Sequence, residues 1–156
     1  MNFMLPRILL CMLLVFPFGV CLAAPVTVGA PGLIQPLTFA EALAAYHKAG
    51  EVEVFQCIHV PAGKNNEAVM NAKPIAVEFD EKIYLRIGGK LLGLDRVSSS
   101  EKRTKYSDRF TKVEVLVLKR TSTSEYGESD DRLMRLQVFS GGNKISIKTF
   151  GASCGV

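Results

Sequence analysis

Short runs of alternating apolar and polar residues, separated by paired glycines, occupy most of the C-terminal two thirds of the chain. Residues 75–79 and 82–87 both alternate with a period of two. That period is typical of β-strands, because successive side chains point to opposite faces of a sheet. Gly88-Gly89 and Gly141-Gly142 stand between such runs, and double glycine favours the tight hairpin turns that require positive φ. The pattern therefore predicts an antiparallel meander.

The number of strand-like runs favours a closed sheet. We count about seven or eight short strands, joined mostly by hairpins. Residues 113–118 are apolar on both faces, as expected of a central strand. Closing such a meander into a barrel removes its exposed edges. We therefore expect a mostly β, barrel-like antiparallel fold, with a two-sheet sandwich as the alternative.

One short helix is predicted before the strands. Thr38 and Glu41 have the spacing of a capping box, and Gly50 is suited to end the helix. Between them, four apolar residues fall on one helical face: Phe39, Ala42, Leu43 and Tyr46. We expect this face to pack against the sheet.

The N-terminus has the features of a secretory signal peptide. Arg7 precedes an apolar run from Ile8 to Val20, and small residues follow it. The run is shorter than the roughly 20 residues that a membrane span needs. We expect cleavage after Ala23, which divides the chain into a signal peptide (1–23), a Pro/Gly-rich arm (24–37) and one helix-plus-barrel domain (38–156). The product would be periplasmic or secreted without stable membrane insertion; an uncleaved anchor is the alternative.

Export changes what the four cysteines can do. Cys11 and Cys21 leave with the signal peptide, so Cys57 and Cys154 remain. Two cysteines in an oxidising compartment usually form a disulfide. Closing a loop of about 100 residues contributes about 4.7 kcal/mol in the chain-entropy model. Two buried free thiols are the alternative.

Charge and motifs argue against several classes of function. The formal net charge is +4, and loss of Arg7 lowers it by one, which is too mild to indicate a nucleic-acid binder. With two histidines in the chain and the thiols paired, we expect neither a metal site nor a cofactor. We predict His59 on the outer side of a strand, and Glu78 and Asp80 as surface charges. No catalytic motif is present, so we expect a protein that is not an enzyme.

Two polar segments interrupt the strand pattern. Residues 124–131 are acidic and are expected to form a solvated linker between strands. The segment from Ser98 to Arg109 is basic and serine-rich and contains Tyr106. It is either a plain solvent loop or a recognition loop presented by rigid strands.

A series of short motifs extends from the first strand to the last cysteine. In chain order they are Phe55-Gln56-Cys57, Val77-Glu78-Phe79, Gly89-Lys90, Ser98-Ser99-Ser100, Lys105-Tyr106-Ser107 and Cys154. This order resembles the membrane-bound inhibitors of C-type lysozyme, a family of small periplasmic β-barrels. The resemblance implies a barrel closed by the Cys57–Cys154 bond.

The same resemblance implies a target-binding loop. In that family, loop serine and lysine side chains enter the lysozyme cleft and meet its catalytic carboxylates. Ser99, Ser100 and Lys105 are the corresponding candidates, and Tyr106 would brace the loop or pack at its rim. We therefore expect an inhibitor or immunity protein directed at a muramidase or another peptidoglycan-degrading enzyme. The alternatives are a barrel that binds a small apolar ligand and a non-catalytic component of envelope or secretion assembly.

Overall fold

The computed structural model of the protein describes residues 33–51, 56–63, 72–123 and 129–155. The predicted signal peptide and residues 24–32 of the predicted arm lie outside these ranges. The described elements are β1 Ile34–Gln35, α1 Phe39–Lys48, β2 Gln56–Pro61, β3 Ala76–Phe79, β4 Lys82–Ile87, β5 Lys90–Ser100, β6 Arg103–Ser107, β7 Thr111–Thr123, β8 Ser129–Ser140 and β9 Asn143–Gly155. Among the described residues, no helix is long and apolar enough to cross a membrane.

Strands β2 to β9 form a closed antiparallel barrel of eight strands. Around the barrel their order is β4-β3-β2-β9-β8-β7-β6-β5, and a further pairing of β4 with β5 closes the circle. The prediction of a barrel-like meander is confirmed, and the sandwich alternative is wrong. The hairpin prediction is also confirmed, since Gly88 and Gly89 have φ of 55° and 82°, and Gly141 and Gly142 have φ of 56° and 77°.

The barrel interior is filled largely by apolar side chains. Its buried members include Ile83, Leu85, Val115, Leu136 and Ile145. The predicted disulfide joins Cys57 to Cys154 within the same cluster. Gly151 lies against it, because a Cβ there would be 2.8 Å from Sγ of Cys154. The interior that would hold an apolar ligand under the alternative hypothesis is therefore occupied by the protein's own side chains over the described residues.

The helix packs on the outside of the barrel and creates a second apolar cluster. Tyr46 of α1 stacks on Phe79 of β3, with ring centroids 4.5 Å apart, and Val77 and Tyr84 complete the contact. Because α1 covers this outer face, Val77 and Phe79 of β3 point away from the barrel interior, and Ala76 and Glu78 point into it. The helix begins as predicted, with the capping box of Thr38 and Glu41 formed.

The last residues of the predicted arm belong to the folded domain. Ile34 and Gln35 form β1, which pairs with Ile87 and Arg86 of β4. Leu37 is buried beneath α1 in the outer cluster. The prediction of an arm that precedes the folded domain is therefore wrong for residues 34–37, where backbone pairing and burial of apolar residues stabilise a short strand.

Candidate functional site

The segment that we expected to be a loop is a β-hairpin. β5 continues to Ser100, turns at Glu101-Lys102 and returns as β6. β4 pairs only with the first part of β5, from Lys90 to Asp95. Beyond it, Ser98–Ser100 pairs with β6, and β6 in turn pairs with β7. The expectation of a loop is wrong because strand pairing on both sides of β6 outweighs the polar composition; Ser98–Lys105 is called the hairpin tip below.

Three of the four predicted target-binding residues lie at this hairpin tip. Ser99 and Ser100 are exposed, and the Lys105 side chain is 45% exposed. The Ser100 hydroxyl donates to the Arg103 carbonyl at 3.0 Å, and the hydroxyls of Ser99 and Thr104 are 3.2 Å apart. These contacts fix the serine side chains on a paired backbone. All three residues thus lie on the hairpin tip, but the register places Ser99 on the face of Thr104, and Ser100 and Lys105 on the other face. Their target-binding role stays a prediction.

Tyr106 has a different environment from the one we expected. Its side chain is buried, with 2% of the residue exposed, and its hydroxyl donates a hydrogen bond to Oε2 of Glu78 at 2.8 Å. Burial raises the pKa of Tyr106, and the negative charge of Glu78 raises it further. Of the two roles predicted for Tyr106, packing at the rim is wrong, because the alternation of β6 turns this side chain into the barrel. Bracing of the hairpin tip stays a prediction.

His59 and Glu78 are buried together inside the barrel. Nε2 of His59 contacts Oε1 of Glu78, and Nδ1 of His59 lies 3.4 Å from the hydroxyl of Thr149. The predictions of an outer histidine and a surface glutamate are therefore wrong. One feature of the sequence could have predicted the buried histidine. Cys57 and His59 are two residues apart on β2, so they lie on the same face of the strand, and the disulfide places that face inside the barrel. Glu78 pairs directly with Cys57, so its side chain points inward as well.

The buried pair keeps Glu78 ionised. Burial alone raises the pKa of this carboxyl group, since a charged group loses its hydration. The charge of His59 and hydrogen bonds from His59 and Tyr106 outweigh this, so the pKa of Glu78 is lowered overall. Thr149, His59 and Glu78 form a hydroxyl–imidazole–carboxylate series of contacts like that of a hydrolytic triad. Thr149 and His59 are, however, fully buried. In this state they do not present a nucleophile to a substrate.

A polar cavity of about 450 Å³ opens beside the hairpin tip, and we call it the charged mouth. Ser99 and Tyr106 contribute to its wall. Three cationic and three carboxylate side chains also line it: Arg96, Arg120, Arg132, Glu78, Asp80 and Glu101. The end of the barrel next to the predicted binding residues is therefore hydrophilic, in contrast to the rest of the interior.

Ion pairs hold the arginines of the charged mouth in place. Asp130 is buried and contacts Nε of Arg132 with one oxygen and Nε of Arg120, at 3.2 Å, with the other. Arg132 also donates to the carbonyl of Gly155 at 3.0 Å. The expectation of a solvated acidic linker is therefore wrong at Asp130, which β8 places within the barrel wall beside two guanidinium groups.

Comparison with known proteins does not assign the chain to a family or a function. The chain matches none of the protein-family models, curated proteins or solved structures against which it was compared. The resemblance to lysozyme inhibitors stays a prediction based on the motifs in the sequence.

Proposed function

We propose that this protein is an exported inhibitor or immunity protein that binds a cell-wall-degrading enzyme of lysozyme type through the hairpin tip. The observation that carries the proposal is the position of Ser100 and Lys105 on one face, and of Ser99 on the other, at the exposed end of a hairpin that continues beyond β4. The Cys57–Cys154 disulfide supports export, because such bonds persist in oxidising compartments.

The chemistry of the hairpin tip suits the cleft of a glycosidase. Such clefts contain a pair of carboxyl groups flanking the bond that is cleaved. Lys105 supplies a cation to these groups, and the Ser100 hydroxyl supplies a donor once it is released from the Arg103 carbonyl. A hydrogen bond to a charged group contributes about 1.5–3 kcal/mol when it is buried on binding. In the free protein, Nζ of Lys105 lies 3.9 Å from Oε1 of Glu114. Breaking a solvent-accessible ion pair of this kind costs little free energy.

The hairpin tip is ordered before it meets a target. β6 is paired along both edges, with β5 on one side and β7 on the other. The Ser99–Thr104 and Ser100–Arg103 contacts join the two strands at the tip. A binding element held in this way loses little conformational entropy on association, which favours affinity.

An inhibition assay with a matched pair of lysine variants tests the proposal. The purified oxidised protein should inhibit a C-type lysozyme at micromolar concentration, and Lys105→Ala should weaken inhibition about tenfold or more, equivalent to about 1.4 kcal/mol. Lys90→Ala is the control, because Lys90 is an exposed lysine at the β4–β5 turn, at the far end of β5 from the tip. Absence of inhibition by the wild-type protein, or equal effects of the two variants, would contradict the proposal.

The charged mouth favours a second candidate, the binding of a small zwitterionic or polyhydroxylated molecule. Its lining contains equal numbers of cationic and carboxylate side chains, and its volume lies within the range of ligand sites. This replaces the apolar ligand of the sequence-based alternative. Titration calorimetry with muramyl dipeptide, a probe that carries both a sugar and a peptide, should show binding that Arg120→Ala weakens. Unchanged binding by Arg120→Ala would place the probe elsewhere.

A further inference from the structure

Four buried side chains with metal-binding atoms meet on three neighbouring strands of the barrel. Cys57 and His59 lie on β2, Glu78 lies opposite Cys57 on β3, and Cys154 lies on β9. None of the four is more than 6% exposed. Ligand atoms of Cys57, His59 and Glu78 all lie within 4.8 Å of one another, and Sγ of Cys154 is bonded to that of Cys57. We call these four residues the Cys–His–Glu cluster.

We propose that the reduced protein binds one zinc ion at the Cys–His–Glu cluster, so that the zinc site and the disulfide are mutually exclusive states of the barrel. Thiolate sulfur, imidazole nitrogen and carboxylate oxygen are the donors that zinc uses, commonly four in a tetrahedron. Bond lengths of about 2.0–2.3 Å place such donors about 3.3–3.8 Å apart. The ligand atoms of Cys57, His59 and Glu78 lie within about an ångström of this range, and the two sulfurs, which are bonded in the oxidised state, have to separate on reduction to reach it.

The surroundings of His59 and Glu78 are an independent observation that favours a metal. Nδ1 of His59 lies 3.4 Å from the Thr149 hydroxyl, which leaves Nε2 directed at Glu78. Tyr106 donates to Oε2 of Glu78 at 2.8 Å and leaves Oε1 directed at His59. Histidine and carboxylate ligands of metals characteristically have such outer hydrogen bonds, which orient the ligand atoms. Here they leave Nε2 and Oε1 facing each other next to the sulfur of Cys57.

The exchange between the two states balances in electrons and protons. A phosphine reductant supplies two electrons that break the Cys57–Cys154 bond. It takes an oxygen atom from water to become a phosphine oxide, and the two protons of that water pass to the sulfurs. Zinc then binds both sulfurs and Nε2 of His59, so the two thiol protons and the Nε2 proton through which His59 contacts Glu78 leave to solvent. The ion replaces that hydrogen bond, and two thiolates with one carboxylate leave the site with one net negative charge.

Native mass spectrometry of the chain carrying Cys11→Ser and Cys21→Ser tests this inference, since Cys57 and Cys154 are then its only cysteines. In the absence of oxygen, with a phosphine and equimolar zinc sulfate, we expect one zinc per reduced chain and none on the oxidised chain. Cobalt(II) in place of zinc should give a cobalt–thiolate charge-transfer band and tetrahedral d–d bands on reduction only. A reduced chain without zinc, or an oxidised chain that binds it equally, would overturn the proposal.

Threonine variants separate this site from binding by two thiols alone. Thr149→Val keeps the shape of the side chain but removes the hydroxyl near Nδ1 of His59, so zinc affinity should fall about tenfold or more. Thr111→Val is the control, because Thr111 is equally buried but bonds Ser140 near the β6–β7 turn. Circular dichroism confirms that both variants are folded. If His59→Gln and Thr149→Val both bind zinc with wild-type affinity, His59 is not a ligand and the proposal fails.

Discussion

At the scale of single residues, Glu78 determines the character of the barrel interior. A buried carboxylate is costly unless charges and hydrogen bonds compensate for its lost hydration. Glu78 has both, because one oxygen contacts His59 and the other accepts from Tyr106. It also lines the charged mouth. This carboxylate therefore connects the buried Cys–His–Glu cluster to the cavity beside the hairpin tip.

The low pKa of Glu78 makes stability depend on acid pH. The folded protein holds this pKa below its ordinary value of 4.5, so the unfolded chain binds the proton more readily. The stabilisation is fully present above about pH 4.5 and is lost as the pH falls through the folded-state pKa. We expect urea unfolding at stepwise lower pH to show this loss, and Glu78→Gln to make the free energy of unfolding less dependent on pH.

Glu41 provides the comparison for that measurement. This exposed carboxylate has a pKa lowered to about 2, first by the hydrogen bond from Arg86 and then by Thr38. The stabilisation that ionised Glu41 contributes to the folded protein is therefore also lost as the pH falls below about 4.5, as it is for Glu78. Glu41→Gln should remove the part of the pH dependence that belongs to the helix. A Glu78→Gln profile that runs parallel to the wild-type profile would contradict the assignment of the buried carboxylate as an acid-sensitive group.

At the scale of elements, α1 and the hairpins are the parts that local chemistry determines. The capping box of Thr38 and Glu41, and the paired glycines at 88–89 and 141–142, specify conformations that need few distant contacts. The sequence was therefore sufficient to predict them. The hairpin tip was missed, because β5 is stabilised there by pairing with β6, and β6 by pairing with β7, and not by an apolar alternation.

The orientation of β3 was missed for a related reason. Both of its faces are buried, one inside the barrel and one beneath α1. Alternation of Val77, Glu78 and Phe79 then indicates two faces but does not determine which one points inward. Docking of α1 on Val77 and Phe79 decides this, and it is a tertiary contact that periodicity cannot reveal. The Glu78–His59 pair follows from that choice.

The N-cap of α1 offers a test at this scale. Thr38→Ala removes the hydroxyl that accepts from the Glu41 backbone amide at 3.2 Å, so the helix loses one of its first hydrogen bonds. We expect the free energy of unfolding to fall by about 1 kcal/mol, the typical loss for an N-cap, measured by urea unfolding at neutral pH. Thr38→Ser, which retains the hydroxyl, should lose less. Equal losses in the two variants would contradict the role assigned to the cap.

At the scale of the whole molecule, the disulfide and the strand pairing both stabilise the closed barrel. The Cys57–Cys154 bond joins β2 to β9, which are also neighbours in the barrel. The strands from 56 to 155 therefore form a circle that is linked by hydrogen bonds and by one covalent bond. A barrel of this kind holds its hairpins in fixed positions, which is what the proposed recognition by the hairpin tip requires.

Export and oxidation lead to a prediction for the intact protein. We expect the mature chain to begin at Ala24 and to show no free thiol before reduction, as measured by intact mass and thiol labelling. Cys57→Ala should lower the free energy of unfolding by about 2–5 kcal/mol, the usual loss for a native disulfide in a small secreted domain. Stoichiometric labelling of the unreduced folded protein at Cys57 or Cys154 would contradict this prediction.

A double-mutant cycle between Lys105 and a catalytic carboxylate of the target lysozyme tests the proposed function most directly. Dissociation constants are measured for the wild-type pair, for Lys105→Ala, for a lysozyme with one catalytic carboxylate changed to its amide, and for the two variants together. If Lys105 enters the cleft, the two changes are not additive, and we expect a coupling energy of about 0.5–3 kcal/mol. Additive effects, within about 0.5 kcal/mol, would show that Lys105 does not meet the catalytic carboxylates.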